Sequence, residues 1–111
     1  MKIAVVGSRE LKIANIEQYL PKECTEIVSG GAKGIDTCVA DYAKRKGVPL
    51  TEILPRYERY GRAAPIKRNK EIVDCSDEVV AFWDGKSRGT AFVIAYCKKK
   101  EKPCSVVLLS K

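Results

Sequence analysis

The chain has 111 residues, with 21 Lys plus Arg, 14 Asp plus Glu and no His, giving a formal net charge of +7. Without histidine there is no Ser-His-Asp or Cys-His catalytic set and no imidazole metal ligand. Any acid, base or ligand must then be Asp, Glu, Lys, Tyr or Cys. At 45% hydrophobic and 32% charged residues, the composition is that of an ordinary globular protein, and residues 1–111 are expected to form a single domain around one core.

Short β-rich runs alternate with amphipathic stretches along the chain, as in βα units on a parallel sheet. Ile3 to Val6 reads as a buried strand ending at Gly7. Residues 11–20 read as a helix, with Ile13, Ile16 and Leu20 on one face. Thr25 to Val28 is a second strand, closed by Ser29-Gly30-Gly31. The spacing of Ile35, Val39, Tyr42 and Ala43 predicts a helix over 35–46, with Gly47 as its C-terminal stop. Leu50 to Leu54 is a third strand, ended by Pro55. After a polar, aromatic connection, residues 63–74 read as a helix with Pro65 in its first turn and Ile66, Ile72 and Val73 as core candidates. Glu78 to Trp83 is the fourth strand, 90–100 the fourth helix, and Ser105 to Leu109 the last strand.

Strict alternation with right-handed crossovers gives an α/β fold: a Rossmann-like three-layer sandwich around a five-stranded parallel sheet. The residues of unusual type follow strands one, two and four. In the order 3-2-1-4-5 those strands are neighbours and their loops share one crevice, whereas the order 2-1-3-4-5 would separate them. The sequence therefore predicts 3-2-1-4-5.

Three loops carry the chemistry: Gly7-Ser8-Arg9, Ser29-Gly30-Gly31-Ala32-Lys33-Gly34-Ile35-Asp36, and Asp84-Gly85-Lys86-Ser87-Arg88-Gly89-Thr90. Glycines between a strand and a helix permit close backbone approach, and the free N–H groups of a helix start hold phosphate or carboxylate. A tight strand-to-helix turn explains the second loop equally well on its own; two such helix starts facing one crevice favour the anion site. Arg9 can fork onto a phosphate or stack on a base, and Asp36 can cap its helix or bind a sugar hydroxyl. No standard nucleotide motif is present. Gly7-Ser8-Arg9 lacks the later glycines of a dinucleotide loop, and Gly85-Lys86-Ser87 has Val80 where a Walker A loop needs its first glycine.

The charge is uneven, with 8 basic and 7 acidic residues in 1–55 against 13 and 7 in 56–111. Arg56-Tyr57-Glu58-Arg59-Tyr60-Gly61-Arg62 and Lys67-Arg68-Asn69-Lys70 supply much of the excess. Interleaved arginines and tyrosines suit bases and phosphates, or else a solvated surface with packed tyrosines. Arg68 and Asn69 interrupt the apolar face of their helix, so they are the pair expected to face the crevice. The five cysteines contain no CxxC pair and sit among apolar residues; they are expected to be reduced core thiols in a cytoplasmic protein. No apolar run is long enough for a signal peptide or a membrane span.

Taken in order, Gly7-Ser8-Arg9, Ser29 to Asp36, Arg68-Asn69 and Phe82-Trp83-Asp84-Gly85-Lys86-Ser87-Arg88-Gly89-Thr90 resemble the SLOG superfamily, the Rossmann-like group that includes DprA and the LOG enzymes. The likeness is greatest to its small stand-alone YspA/YpsA-related branch and spans nearly the whole chain. It implies a domain binding a nucleotide or nucleotide-derived phosphorylated ligand, as the module of a sensor does, through Gly7 to Arg9, Ser29 to Gly34, Asp36, Arg68, Asn69 and Asp84 to Thr90. It also implies self-association as a dimer. Single-stranded nucleic-acid binding, as in DprA-like members, is the alternative. Hydrolysis as in LOG-like phosphoribohydrolases ranks last, because Val93 stands where that group has a catalytic glutamate three residues after the threonine.

Overall fold

A computed structural model describes residues 1–8, 11–13, 15–30 and 34–109. Five strands, β1 (Lys2–Gly7), β2 (Glu26–Ser29), β3 (Leu50–Glu52), β4 (Glu78–Trp83) and β5 (Cys104–Leu108), form one sheet. The order is β3-β2-β1-β4-β5 and all pairings are parallel, so the fold is α/β and compatible with a Rossmann-like sandwich. β1 and β4 are continuous apolar runs buried at their centres, as strands covered on both faces must be.

Side chains alternate between two cores. On one face Ile3, Val5, Ile27, Val80 and Phe82 pack with Leu11, Ile16 and α1 (Ile35–Lys46). On the other, Ala4, Val6, Val28, Val79 and Ala81 pack with Ile72 and Val73 of α3 (Ala64–Asp74) and with Val93 and Cys97 of α4 (Arg88–Lys99). α1 begins and ends where its periodicity predicts. Gly47 closes it in the left-handed conformation (φ 67°, ψ 28°), where any residue with a Cβ is strained. Pro65 lies in the first turn of α3, where its missing N–H costs no helical bond. No helix among the described residues is long and apolar enough to cross a membrane.

Four expectations need correction. The 11–20 segment is not an α-helix; its described part contains only the 3-10 turn Ile16–Tyr19. Its predicted face is nevertheless right, since Ile16 is buried and Ile13 and Leu20 pack against the same core. The end of the segment has a local cause: Pro21 disfavours helical backbone at the residue before it, and Leu20 is extended (ψ 138°). β3 stops at Glu52, two residues early, and Leu54 is 59% exposed. Ile66 is on the surface, while Ile72 and Val73 are core. Of the five free cysteines only Cys97 is buried, and Cys75, just past α3, is exposed. A further helical turn, α2 (Tyr57–Tyr60), followed by a 3-10 turn at Gly61–Ala63, occupies the connection between β3 and α3.

Candidate functional site

The carboxyl ends of β2, β1 and β4 meet the starts of α1, α3 and α4 in an open crevice of about 520 Å³, within the range of small-ligand sites. Its lining includes Gly7, Ser8, Gly30, Asp36, Arg68, Asn69, Asp84, Lys86, Ser87, Gly89 and Thr90. The three loops and the Arg-Asn pair thus converge on one space. Ser29 is fully buried beneath it, Gly34 opens onto a different hollow beside Lys12 and Arg45, and neither Gly85 nor the exposed Arg88 reaches the lining. Arg9, Gly31, Ala32 and Lys33 lie outside the described residues.

Gly7 is needed for packing. A Cβ there would sit 2.5 Å from Cβ and Cγ1 of Ile35, so its absence lets the first turn of α1 close onto the end of β1. That approach carries Asp36, in the same turn, into the crevice wall. The adjoining Ser8 is tied by its backbone, its N–H donating to the Phe82 carbonyl (3.1 Å) and its carbonyl accepting from Leu11 N–H (3.2 Å). Its hydroxyl is nearly inaccessible, at 3% exposure for the residue, and has no partner at hydrogen-bond distance among the described residues, although the Asp84 carboxyl lies near enough to feel it. An unmatched buried hydroxyl costs about 1–3 kcal/mol unless something enters to satisfy it.

The β4–α4 loop is built by Asp84. Its Oδ1 accepts hydrogen bonds from the amides of Ser87 (2.8 Å) and Lys86 (2.9 Å), while Gly85 turns the chain at φ 82°. Those two amides, Ser87 first, hold the Asp84 carboxyl below its ordinary value, with a smaller contribution from the nearby Ser8 hydroxyl. Asp84 is therefore a structural anion at neutral pH and has no proton to give. Trp83 Nε1 donates to the Ser87 carbonyl at 3.0 Å, and Ala91 is the first residue whose amide reaches that carbonyl (3.1 Å). The amides of Arg88, Gly89 and Thr90 consequently emerge from the helix start without an intrahelical acceptor. They form the positive end of the α4 dipole, where an anion is favoured.

On the opposite wall Arg68 is braced. Its Nε donates to Asn69 Oδ1 (2.8 Å) and its Nη1 to the Gly30 carbonyl (3.1 Å), which ties α3 to the end of β2. A Cβ on Gly30 would come 2.7 Å from Arg68 Nη1 and 3.4 Å from Asp36 Oδ2, so guanidinium, carboxylate and backbone share one corner. The floor holds four apolar side chains: Val6 and Ile72, which the sequence assigns to the core, Pro65, which it assigns to a helix start, and Val93, which stands where the LOG-like enzymes carry a glutamate. Only Val93 is marked in the sequence, by its place three residues after Thr90; the signal that could have found Val6, Pro65 and Ile72 is their position next to the glycine loops and the Arg-Asn pair. Among the described residues, no three Cys, Asp or Glu side chains gather as a metal site.

The fold is thus an all-parallel α/β sandwich with a polar crevice at the carboxyl end of its sheet. Comparison with protein-family models, curated proteins and solved structures gives no match.

Proposed function

We propose that the crevice binds a nucleotide or a nucleotide-derived phosphorylated ligand. The observation that carries this reading is the buried Ser8 hydroxyl, without a hydrogen-bond partner among the described residues, beside the amides of the α4 start. Together they offer an O–H and N–H donors to an oxyanion, with the helix dipole aligned behind them.

The rest of the lining argues for more than a bare anion. Asp36 and Asp84 place two carboxylates against the two cations Arg68 and Lys86, so the described lining has no net positive charge with which to hold free phosphate. Carboxylates accept from hydroxyl and amino groups, which a ribose and a base supply and phosphate lacks. The apolar floor suits a base. Val93, buried at 2% exposure, gives the second turn of α4 an apolar side chain where the LOG-like enzymes carry their glutamate. Its place on the crevice floor favours ligand retention over glycosidic hydrolysis. The resemblance to SLOG proteins points to the same ligand class, and a sensor module is the role that binding without turnover fits.

Calorimetry tests the reading against a panel of mononucleotides, cyclic nucleotides, ADP-ribose and inorganic phosphate. A nucleotide should bind and phosphate alone should not, and Ser8→Ala should weaken binding about tenfold, the loss expected for one hydrogen bond to a charged group. Silence across the panel contradicts it.

A further inference from the structure

Behind Arg68 lies a second groove, of about 420 Å³, whose walls include Leu54, Arg56, Tyr60, Lys67 and Lys70. α2 and the 3-10 turn after it, which lead into this wall, contain no buried residue, and every residue from 56 to 63 is exposed. Helical turns this short are not stable by propensity and ordinarily depend on packing, yet these two pack nothing into the core. Their surroundings are apolar all the same. Of the seven large hydrophobic side chains exposed among the described residues, four, Leu54, Tyr57, Tyr60 and Ile66, fall between positions 54 and 66. Single exposed apolar side chains are ordinary, but a group of them rimmed by charge marks a surface that another molecule covers.

The rim is cationic. Residues 54–70 carry six basic side chains against one acidic, Glu58. The ion pairs among the described residues are Lys2–Glu26 and Arg45–Asp41, so Arg56, Arg59, Arg62, Lys67 and Lys70 have no carboxylate partner there. Charge and shape together select the occupant. Protein interfaces and their hot spots are rich in Tyr and Arg. The Arg59 guanidinium and Lys67 ammonium lie over the Tyr60 ring, 5.3 and 5.8 Å from its centre, where a nucleic-acid base would have to stack. Glu71 and Asp74, also on the groove wall, would repel a continuous phosphate backbone. A second copy of this chain would set the same cations against themselves in a two-fold contact. A bilayer surface is flat and leaves a groove unfilled.

We propose that this groove docks an acidic, amphipathic segment of another protein, with a large apolar side chain seated against Leu54 and Tyr60 and flanking carboxylates paired with Arg56, Lys67 and Lys70. The docking surface stands whatever ligand fills the crevice.

The test is selection of random dodecapeptides displayed on phage against the immobilised protein, followed by calorimetry with the synthesised peptides. Those selected should carry an excess of Asp and Glu around at least one Leu, Phe or Trp. Tyr60→Ala should weaken their binding at least tenfold, and so should Arg56→Glu/Lys67→Glu, which sets like charges against the peptide. All three positions are exposed, and an unchanged circular dichroism spectrum shows that each variant is folded. Arg45→Glu, a charge reversal on α1 away from the groove, should leave binding unchanged. No enriched peptide, enriched peptides without the acidic excess, or binding that Arg45→Glu weakens as much as Arg56→Glu/Lys67→Glu would overturn the proposal. So would a single-stranded oligonucleotide or a phosphatidylserine vesicle bound as tightly as the best peptide, or a dimer that Tyr60→Ala dissociates.

Discussion

Gly7→Ala is the substitution whose consequence the geometry specifies most closely. The new methyl would lie 2.5, 2.5 and 2.8 Å from Cβ, Cγ1 and Cγ2 of Ile35, where carbon atoms normally rest about 3.5–4.0 Å apart. Restoring contact means moving the first turn of α1 outward by about 1 Å. Ile35 is fully buried and Gly7 pairs with Phe82 in the adjoining strand, so neither side can yield without disturbing the sheet. Overpacking of this kind costs about 1–3 kcal/mol, and for a domain of this size each kcal/mol corresponds to about 4 °C in Tm. Urea unfolding followed by circular dichroism should show a lower midpoint with an unchanged slope. Ile35→Ala should not rescue the variant, because the closest contact is to Cβ, which alanine retains. Stability within 0.5 kcal/mol of the unsubstituted protein would refute the close approach of β1 and α1, and with it the placement of Asp36.

Gly89, at the start of α4, should behave in the opposite way. A Cβ at Gly89 meets nothing within 4 Å, so Gly89→Ala should raise stability by up to about 1 kcal/mol through helix propensity while its methyl weakens nucleotide binding; calorimetry on a variant with raised Tm checks both. Asp84, with its folded pKa held below the usual value of 3.8, stabilises the α4 start above that pH and loses the effect as pH falls through the folded value. Acid unfolding of Asp84→Asn should therefore be less steep below pH 3.8, as read by circular dichroism. Burial, chiefly, pushes the Cys97 thiol up to about 12, so a thiol reagent at pH 8 should modify the exposed Cys75 first and Cys97 only on unfolding, by mass spectrometry of the labelled peptides.

The elements legible in the sequence are those where burial and conformation coincide. α1 shows its extent because its apolar spacing, Asp36 in the first turn and Gly47 at the end agree. The 11–20 segment shows only its burial: Ile13, Ile16 and Leu20 reach the core, yet apolar spacing alone does not impose a helix on a stretch with Pro21 at its end. Ile66 fails for a related reason: it sits on the outward side of the first turn of α3, 46% exposed, while Ala64 two residues earlier is fully buried. The strand order followed from asking which loops must meet, and the crevice confirms that choice. What no linear pattern could give is the bond from Arg68 to the Gly30 carbonyl, 38 residues away, or the buried Ser8 hydroxyl with no hydrogen-bond partner among the described residues. Both depend on how the second and third layers close over the sheet.

The central claim is that a phosphoryl group sits at the start of α4 against Ser8. A crystal structure of the protein with the tightest-binding nucleotide of the panel tests it directly. The account predicts phosphate oxygens within about 2.7–3.2 Å of the Gly89 and Thr90 amides and of Ser8 Oγ, with the base over Val93 and Ile72. A nucleotide bound elsewhere, or one placing its base at the α4 start and its phosphate in solvent, would contradict it.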